Sequence, residues 1–263
     1  MKTWHFIGIL LPLLGCSHGS PAENEAQTQK TLNTPIITNE SPEPIQEMAV
    51  PNPIQKQEKR QQQQKSKALM NVPLIKQNPE LKYGCEVTSL AMMLKYAGAD
   101  TDKMKLFNEI KKDNDPLKRS ANGDILSWGN PAEGFVGDMT GKQAGYAVFD
   151  KPMIDLINRY LPGRAVNLTG KDFNEVLEHV SAGYPAVVWT TGDYRLPDRW
   201  ESWTHGNEVI KTPLDLHAVV LVGFNETNVF LNDPLSGRKQ VPVNKIRFIE
   251  TWKAMQSRAV SYR

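Results

Sequence analysis

Three residues stand at positions where thiol chemistry could use them. Cys85 follows Gly84 and opens the run Cys85-Glu86-Val87-Thr88-Ser89-Leu90-Ala91-Met92-Met93-Leu94. Val87, Leu90, Ala91 and Leu94 recur with the spacing of one helix face. Cys85 is therefore expected in the first turn of a buried helix. There it meets free backbone N–H groups and the positive end of the helix dipole. Both favour thiolate over thiol. Gly84 is expected to leave room for a substrate backbone beside the sulfur. The plain alternative is a small apolar residue in a core helix, a common place for cysteine.

His217 begins the apolar run Leu216-His217-Ala218-Val219-Val220-Leu221-Val222-Gly223. A turn cluster at 225–228 and the return strand Val229-Phe230-Leu231 lead to Asp233. A hairpin centred near Glu226 puts His217 and Asp233 at one end. Their equal parity lets them share a face. An acid beside an imidazole sets its tautomer and stabilises its protonated form. That imidazole beside Cys85 would make a thiolate–imidazolium pair. Taken singly, His217 could be a core histidine and Asp233 a turn residue before Pro234. Together they follow a nucleophile at a helix start, which is the chain order of papain-like cysteine enzymes.

The elements that must position these groups are legible in outline. Helices are expected over 85–97, 102–112, 151–160, 171–181 and 244–256. Strands are expected over 186–190, 216–223, 229–231, 237–241 and 259–262. His179, on the fourth helix, reads as structural or exposed. Residues 113–148 are rich in glycine and aromatics and read as irregular, one wall of a cleft. Residues 192–213, with Trp200, Trp203 and His205, read as a long loop. It either overlies the active site or is a surface excursion. Helices first and a mainly antiparallel sheet second make an α+β plan.

The chain has 263 residues and a net charge of +2, which gives no electrostatic case for nucleic acid. Its two cysteines, Cys16 and Cys85, lie in segments of different character, so no disulfide framework is expected. Lys2 and the apolar residues up to Leu14 read as an export signal too short to span a bilayer. It ends in Leu13-Leu14-Gly15-Cys16, which resembles the lipobox of bacterial lipoproteins. That resemblance implies an acylated Cys16 as the mature N-terminus, held to an extracytoplasmic membrane face. An ordinary secretory signal is the alternative. Residues 17–66 are rich in Pro, Glu, Gln and Lys, with few apolar residues, and read as a disordered tether. About fifty such residues reach roughly 40 Å. The folded domain is expected over 67–263.

Longer matches then name a family. Asn71-Val72-Pro73-Leu74-Ile75-Lys76-Gln77, the Gly84-Cys85-Glu86-Val87-Thr88-Ser89 block, Gly134-Phe135-Val136-Gly137-Asp138, Leu216-His217-Ala218 and Asn232-Asp233-Pro234 resemble the C39-like peptidases of bacterial extracytoplasmic proteins. The resemblance implies a papain-like cysteine peptidase fold, with N-terminal helices packed on a mainly antiparallel sheet. It makes Cys85 the nucleophile, His217 the base, Asp233 its orienting acid and Gln77 the oxyanion donor. No metal and no cofactor are called for. A monomer acting on a peptide or protein, including cell-wall peptide, is expected. Alternatives are a peptidoglycan stem-peptide hydrolase, a thiol acyltransferase or amidase, and a non-catalytic binding lipoprotein.

Overall fold

A computed structural model describes residues 66–263. The export signal, Cys16 and all but the last residue of the expected tether lie outside the described residues. In chain order the strands are β1 (Ala68–Leu69), β2 (Lys112–Asp113), β3 (Lys118–Arg119), β4 (Ile125–Ser127), β5 (Phe135–Val136), β6 (Ala165–Asn167), β7 (Ala186–Thr191), β8 (Trp200–His205), β9 (Glu208–Pro213), β10 (Leu216–Phe224), β11 (Asn228–Asp233), β12 (Arg238–Asn244) and β13 (Ala259–Tyr262). The helices are α1 (Cys85–Tyr96), α2 (Lys103–Glu109), α3 (Asp150–Tyr160), α4 (Phe173–Ser181) and α5 (Lys245–Ala254).

The main sheet runs β12-β11-β10-β7-β13-β6, with β1 added on β10. Every pairing in it is antiparallel. Alternation along β7 divides the core. Val187 and Trp189 pack with Val87, Leu90 and Leu94 of α1 and with Met153 and Ile157 of α3. Ala186 and Val188 pack with Val176 and Val180 of α4 and with Phe248 and Trp252 of α5. The sheet is thus covered on both faces. This is why β7 and β10 read as apolar runs rather than alternating strands. Each such valine or leucine contributes about 1.5–3 kcal/mol by burial. The α+β expectation, with N-terminal helices on an antiparallel sheet, is met.

Local chemistry sets the helix starts. The Asp102 carboxylate accepts from Met104 and Lys105 N–H at 2.8 and 2.9 Å and caps α2. Asp172 and Glu175 form a capping box on α4. Asn244 accepts from Arg247 N–H at 3.1 Å and caps α5.

Two stretches differ from expectation. Residues 192–213 are not a long loop: most of them form the hairpin β8–β9, part of a sheet ordered β3-β4-β8-β9. Residues 113–148 hold the short strands β3, β4 and β5, and β2 ends at Asp113. A small separate core of Ile125, Trp128, Val136 and Trp203 joins the two stretches. Trp203 lies 5.8 Å from Trp128 and 5.4 Å from Tyr146, ring centre to ring centre. The Tyr146 hydroxyl donates to the Pro213 carbonyl at 2.7 Å. The hairpin escapes pattern reading because this core covers so little of it. Trp203 is buried, while Trp200 on the same strand is exposed.

Candidate active site

Cys85 is the first residue of α1 and is buried. Gly84 caps the helix without a side chain. A Cβ at Gly84 would lie 2.5 Å from Leu81 Cβ. The packing of Leu81 therefore requires the glycine. The next nine residues, Glu86 to Leu94, are all buried, so α1 is enclosed on every side.

β10 carries His217 to the same place. The Ser89 hydroxyl donates to the Ala218 carbonyl at 3.1 Å, which ties the first turns of α1 to the start of β10. The Ala218 backbone also faces the Cys85 sulfur and favours its charged form. His217 is the residue before this contact. It lies opposite Thr190 of β7 and is 3 % exposed.

Asp233 ends β11. Val220 pairs with Asn232, so the register puts Asp233 diagonally from His217 on the shared face. His217 Nε2 meets Asp233 Oδ1 at 2.8 Å. With Nε2 bound to the acid, Nδ1 is the ring nitrogen left for a nucleophile. Asp233 is a hub. Leu235 N–H donates to Oδ1 at 2.9 Å, and Oδ2 accepts from Ser236 Oγ at 2.6 Å and from Tyr194 Oη at 3.1 Å. Burial pushes this carboxyl upward. The hydrogen bond and charge of His217, with the donors at Ser236 and Leu235, outweigh burial and hold it well below the usual carboxylate range. Tyr194 reaches the acid from a left-handed backbone conformation, φ 61°. Its own carbonyl accepts from Thr251 Oγ1 of α5 at 3.3 Å.

Gln77 is buried. Its backbone N–H donates to the Pro234 carbonyl at 3.0 Å, which joins its loop to the residue after Asp233. Lys103 Nζ donates to the carbonyls of Lys76 and Gln77 at 2.6 and 3.0 Å. One Nε2 hydrogen goes to the Lys82 carbonyl at 2.8 Å, and the amide carries a second. Oε1 is buried without a partner among the described residues.

The thiol itself departs from expectation. Cys85 Sγ donates to Glu86 Oε2 at 3.3 Å. Among the described residues it makes no hydrogen bond to His217. Burial, then the negative charge of Glu86, push the thiol pKa well above its ordinary value. The Ala218 backbone opposes them but does not prevail. The helix N-terminus alone would have predicted the opposite sign.

Glu86, Tyr194 and Ser236 were not singled out by sequence reasoning. Glu86 had a signal: a carboxylate inside a run whose other members are core residues. Tyr194 and Ser236 had none, because each lies in a loop whose path depends on distant packing. His179 is structural, with Nε2 at 2.8 Å from Ser261 Oγ and burial lowering its pKa.

Asp113, Glu133 and His205 bring ligand-type atoms within 4.8 Å of one another. Both Asp113 oxygens already serve backbone donors, Asn130 N–H at 2.9 Å and Asp115 N–H at 3.0 Å. His205 Nε2 lies 3.2 Å from Asp113, so the cluster fastens the hairpin to the β2 segment.

Residues 69–260 match the Peptidase_C39 like family. The chain belongs to that family. It is 36% identical over 182 residues to YvpB of Bacillus subtilis (strain 168), a protein described as uncharacterized, covering 69% of this chain and 70% of that one. A crystal structure of a C39-like protein from Bacillus anthracis superposes with a TM-score of 0.69 at 42% identity. The alignment covers 76% of this chain and 98% of that one. The papain-like α+β architecture agrees with that likeness.

Proposed function

We propose that this protein is a cysteine peptidase held by an acylated Cys16 on the extracytoplasmic face of a bacterial membrane. The observation that carries the catalytic reading is the buried His217–Asp233 pair set one residue from the backbone contact with Cys85. That arrangement suits acyl transfer through a thiol. The Cys85 proton passes to His217 Nδ1, and the thiolate attacks the scissile carbonyl. Gln77 Nε2 and the Cys85 backbone N–H donate to the developing oxyanion, a contribution of roughly 3 kcal/mol per aimed donor. The imidazolium then gives its proton to the leaving amine, and water releases the thioester. Asp233 holds the imidazole in place throughout.

The test is incubation of the purified chain with a proteome-derived peptide library and, separately, with purified cell wall, products being read by mass spectrometry. Cleavage of peptides that disappears in Cys85→Ala is the expected result. Cleavage restricted to wall stem peptides would reassign the substrate. Acyl transfer to added amines without net hydrolysis would make it a transferase. Full biological activity of Cys85→Ala in cells lacking the wild-type copy would make the cleft a binding surface.

A further inference from the structure

Glu86 is the only charged side chain in the buried stretch from Cys85 to Leu94. Its exposure is 0%. Oε1 accepts the Val148 N–H at 3.1 Å, and Oε2 accepts the Cys85 thiol at 3.3 Å. Among the described residues no Lys, Arg or His pairs with it. A buried carboxylate without a cation is costly. A neutral amide would serve Val148 equally well, because it also offers an oxygen of the right reach. What a neutral side chain would not supply is a negative charge against the sulfur.

We propose that Glu86 is a further catalytic residue, whose carboxylate keeps the Cys85 thiol protonated and engaged in the empty enzyme, so that the nucleophile is freed only by turning to His217. In that turn the S–H···Oε2 hydrogen bond breaks. The sulfur's proton moves to His217 Nδ1, leaving a thiolate and an imidazolium, and Glu86 keeps its own protonation state. The inference rests on the reading of Cys85 as the nucleophile. It adds a resting state in which a buried thiol on an extracytoplasmic protein is shielded from alkylating and oxidising reagents.

Burial also pushes the Glu86 carboxyl up to about 7, against the hydrogen bonds that favour its charged form. The titratable groups that face it are Cys85 on its own helix and Tyr146 on the segment that supplies Val148. Tyr146 lies in turn in the fields of Arg258 and Asp215.

The experiment uses the full chain and Glu86→Gln. Alkylation of Cys85 by iodoacetamide is followed by mass spectrometry of its peptide across pH. Glutamine keeps the acceptor for Val148 and removes the charge. The expected result is a midpoint for Cys85 alkylation lowered by about one pH unit or more, with a rate near neutrality about tenfold higher. An unchanged midpoint in folded Glu86→Gln overturns the proposal, since it leaves Glu86 as packing alone. Should that variant not fold, the infrared difference spectrum of wild type minus Cys85→Ala decides. An S–H stretch displaced to lower frequency at neutral pH is required, and its absence overturns the proposal equally. These readouts do not need turnover. A lowered midpoint without any peptide cleavage would sink the peptidase reading and leave this one standing, whereas cleavage with an unmoved midpoint would do the reverse.

Discussion

Replacing Asp233 by alanine tests whether the acid is a structural hub as well as a partner of His217. Four donors converge on its two oxygens: His217 Nε2, Leu235 N–H, Ser236 Oγ and Tyr194 Oη. His217 is 3 % exposed and Tyr194 9 %, so water can replace the carboxylate only poorly at either. A buried donor left without a partner costs about 1–3 kcal/mol, and two such donors, His217 Nε2 and Tyr194 Oη, lose theirs together. Asp233→Ala should therefore lose about 2–6 kcal/mol. For a domain of this size each kcal/mol moves Tm by about 2–4 °C, so the drop should be about 4–24 °C. Near-ultraviolet circular dichroism of the purified chain during heating would read it. Tyr194→Phe should cost about 1 kcal/mol, and less in the Asp233→Ala background, giving a non-zero double-mutant coupling. The acid's pKa is depressed in the folded state, so its contribution is present above the ordinary carboxylate value near 4. It is lost as the pH falls through the folded value. The gap between wild type and Asp233→Ala should accordingly narrow below about pH 4. A variant melting within about 2 °C of wild type near neutrality would refute the hub.

Gln77→Ala should lower kcat by roughly 10²–10³ with little change in KM on any peptide the wild type cleaves, because an oxyanion donor acts in the transition state. An unchanged kcat would remove Gln77 from the mechanism. Trp203→Ala should release the β8–β9 hairpin by emptying its small core, at a cost of about 3–5 kcal/mol. Hydrogen exchange should then show lost protection over 200–213 with β7, β10 and β11 still protected. Equal loss in the main sheet would show that the hairpin is not a separate packing unit. Cys16→Ala should leave the membrane fraction or accumulate as a precursor, and normal processing with membrane retention would exclude lipid anchoring.

Local periodicity by itself determines much of this protein. The helix at Cys85 and the strand at His217 follow from apolar spacing, and each is extensive enough to be unambiguous. Equal parity across a hairpin made a shared face for Asp233 and His217 possible, but a bulge between Leu221 and Gly223 decides it: the register at the turn would have put them on opposite faces, and the shifted register allows the bond at 2.8 Å. The caps at Asp102 and Asp172 are short-range chemistry and could be read residue by residue. What lay beyond the sequence depended on which segments meet. The strands of 200–213 cover only a few aromatic residues of another segment, so their own pattern is weak. Tyr194 and Ser236 reach Asp233 because of loop paths that no spacing encodes. Gly84 closes a hydrogen-bonded turn on Leu81, its N–H donating to the Leu81 carbonyl at 3.1 Å, and the Leu81 side chain fills the space a Cβ would take. The acidity of Cys85 is the clearest case. A helix N-terminus is a local feature and predicts a lowered pKa. Burial and the Glu86 carboxylate reverse the sign, because desolvation is a property of everything packed around the sulfur, and only the folded chain brings that together.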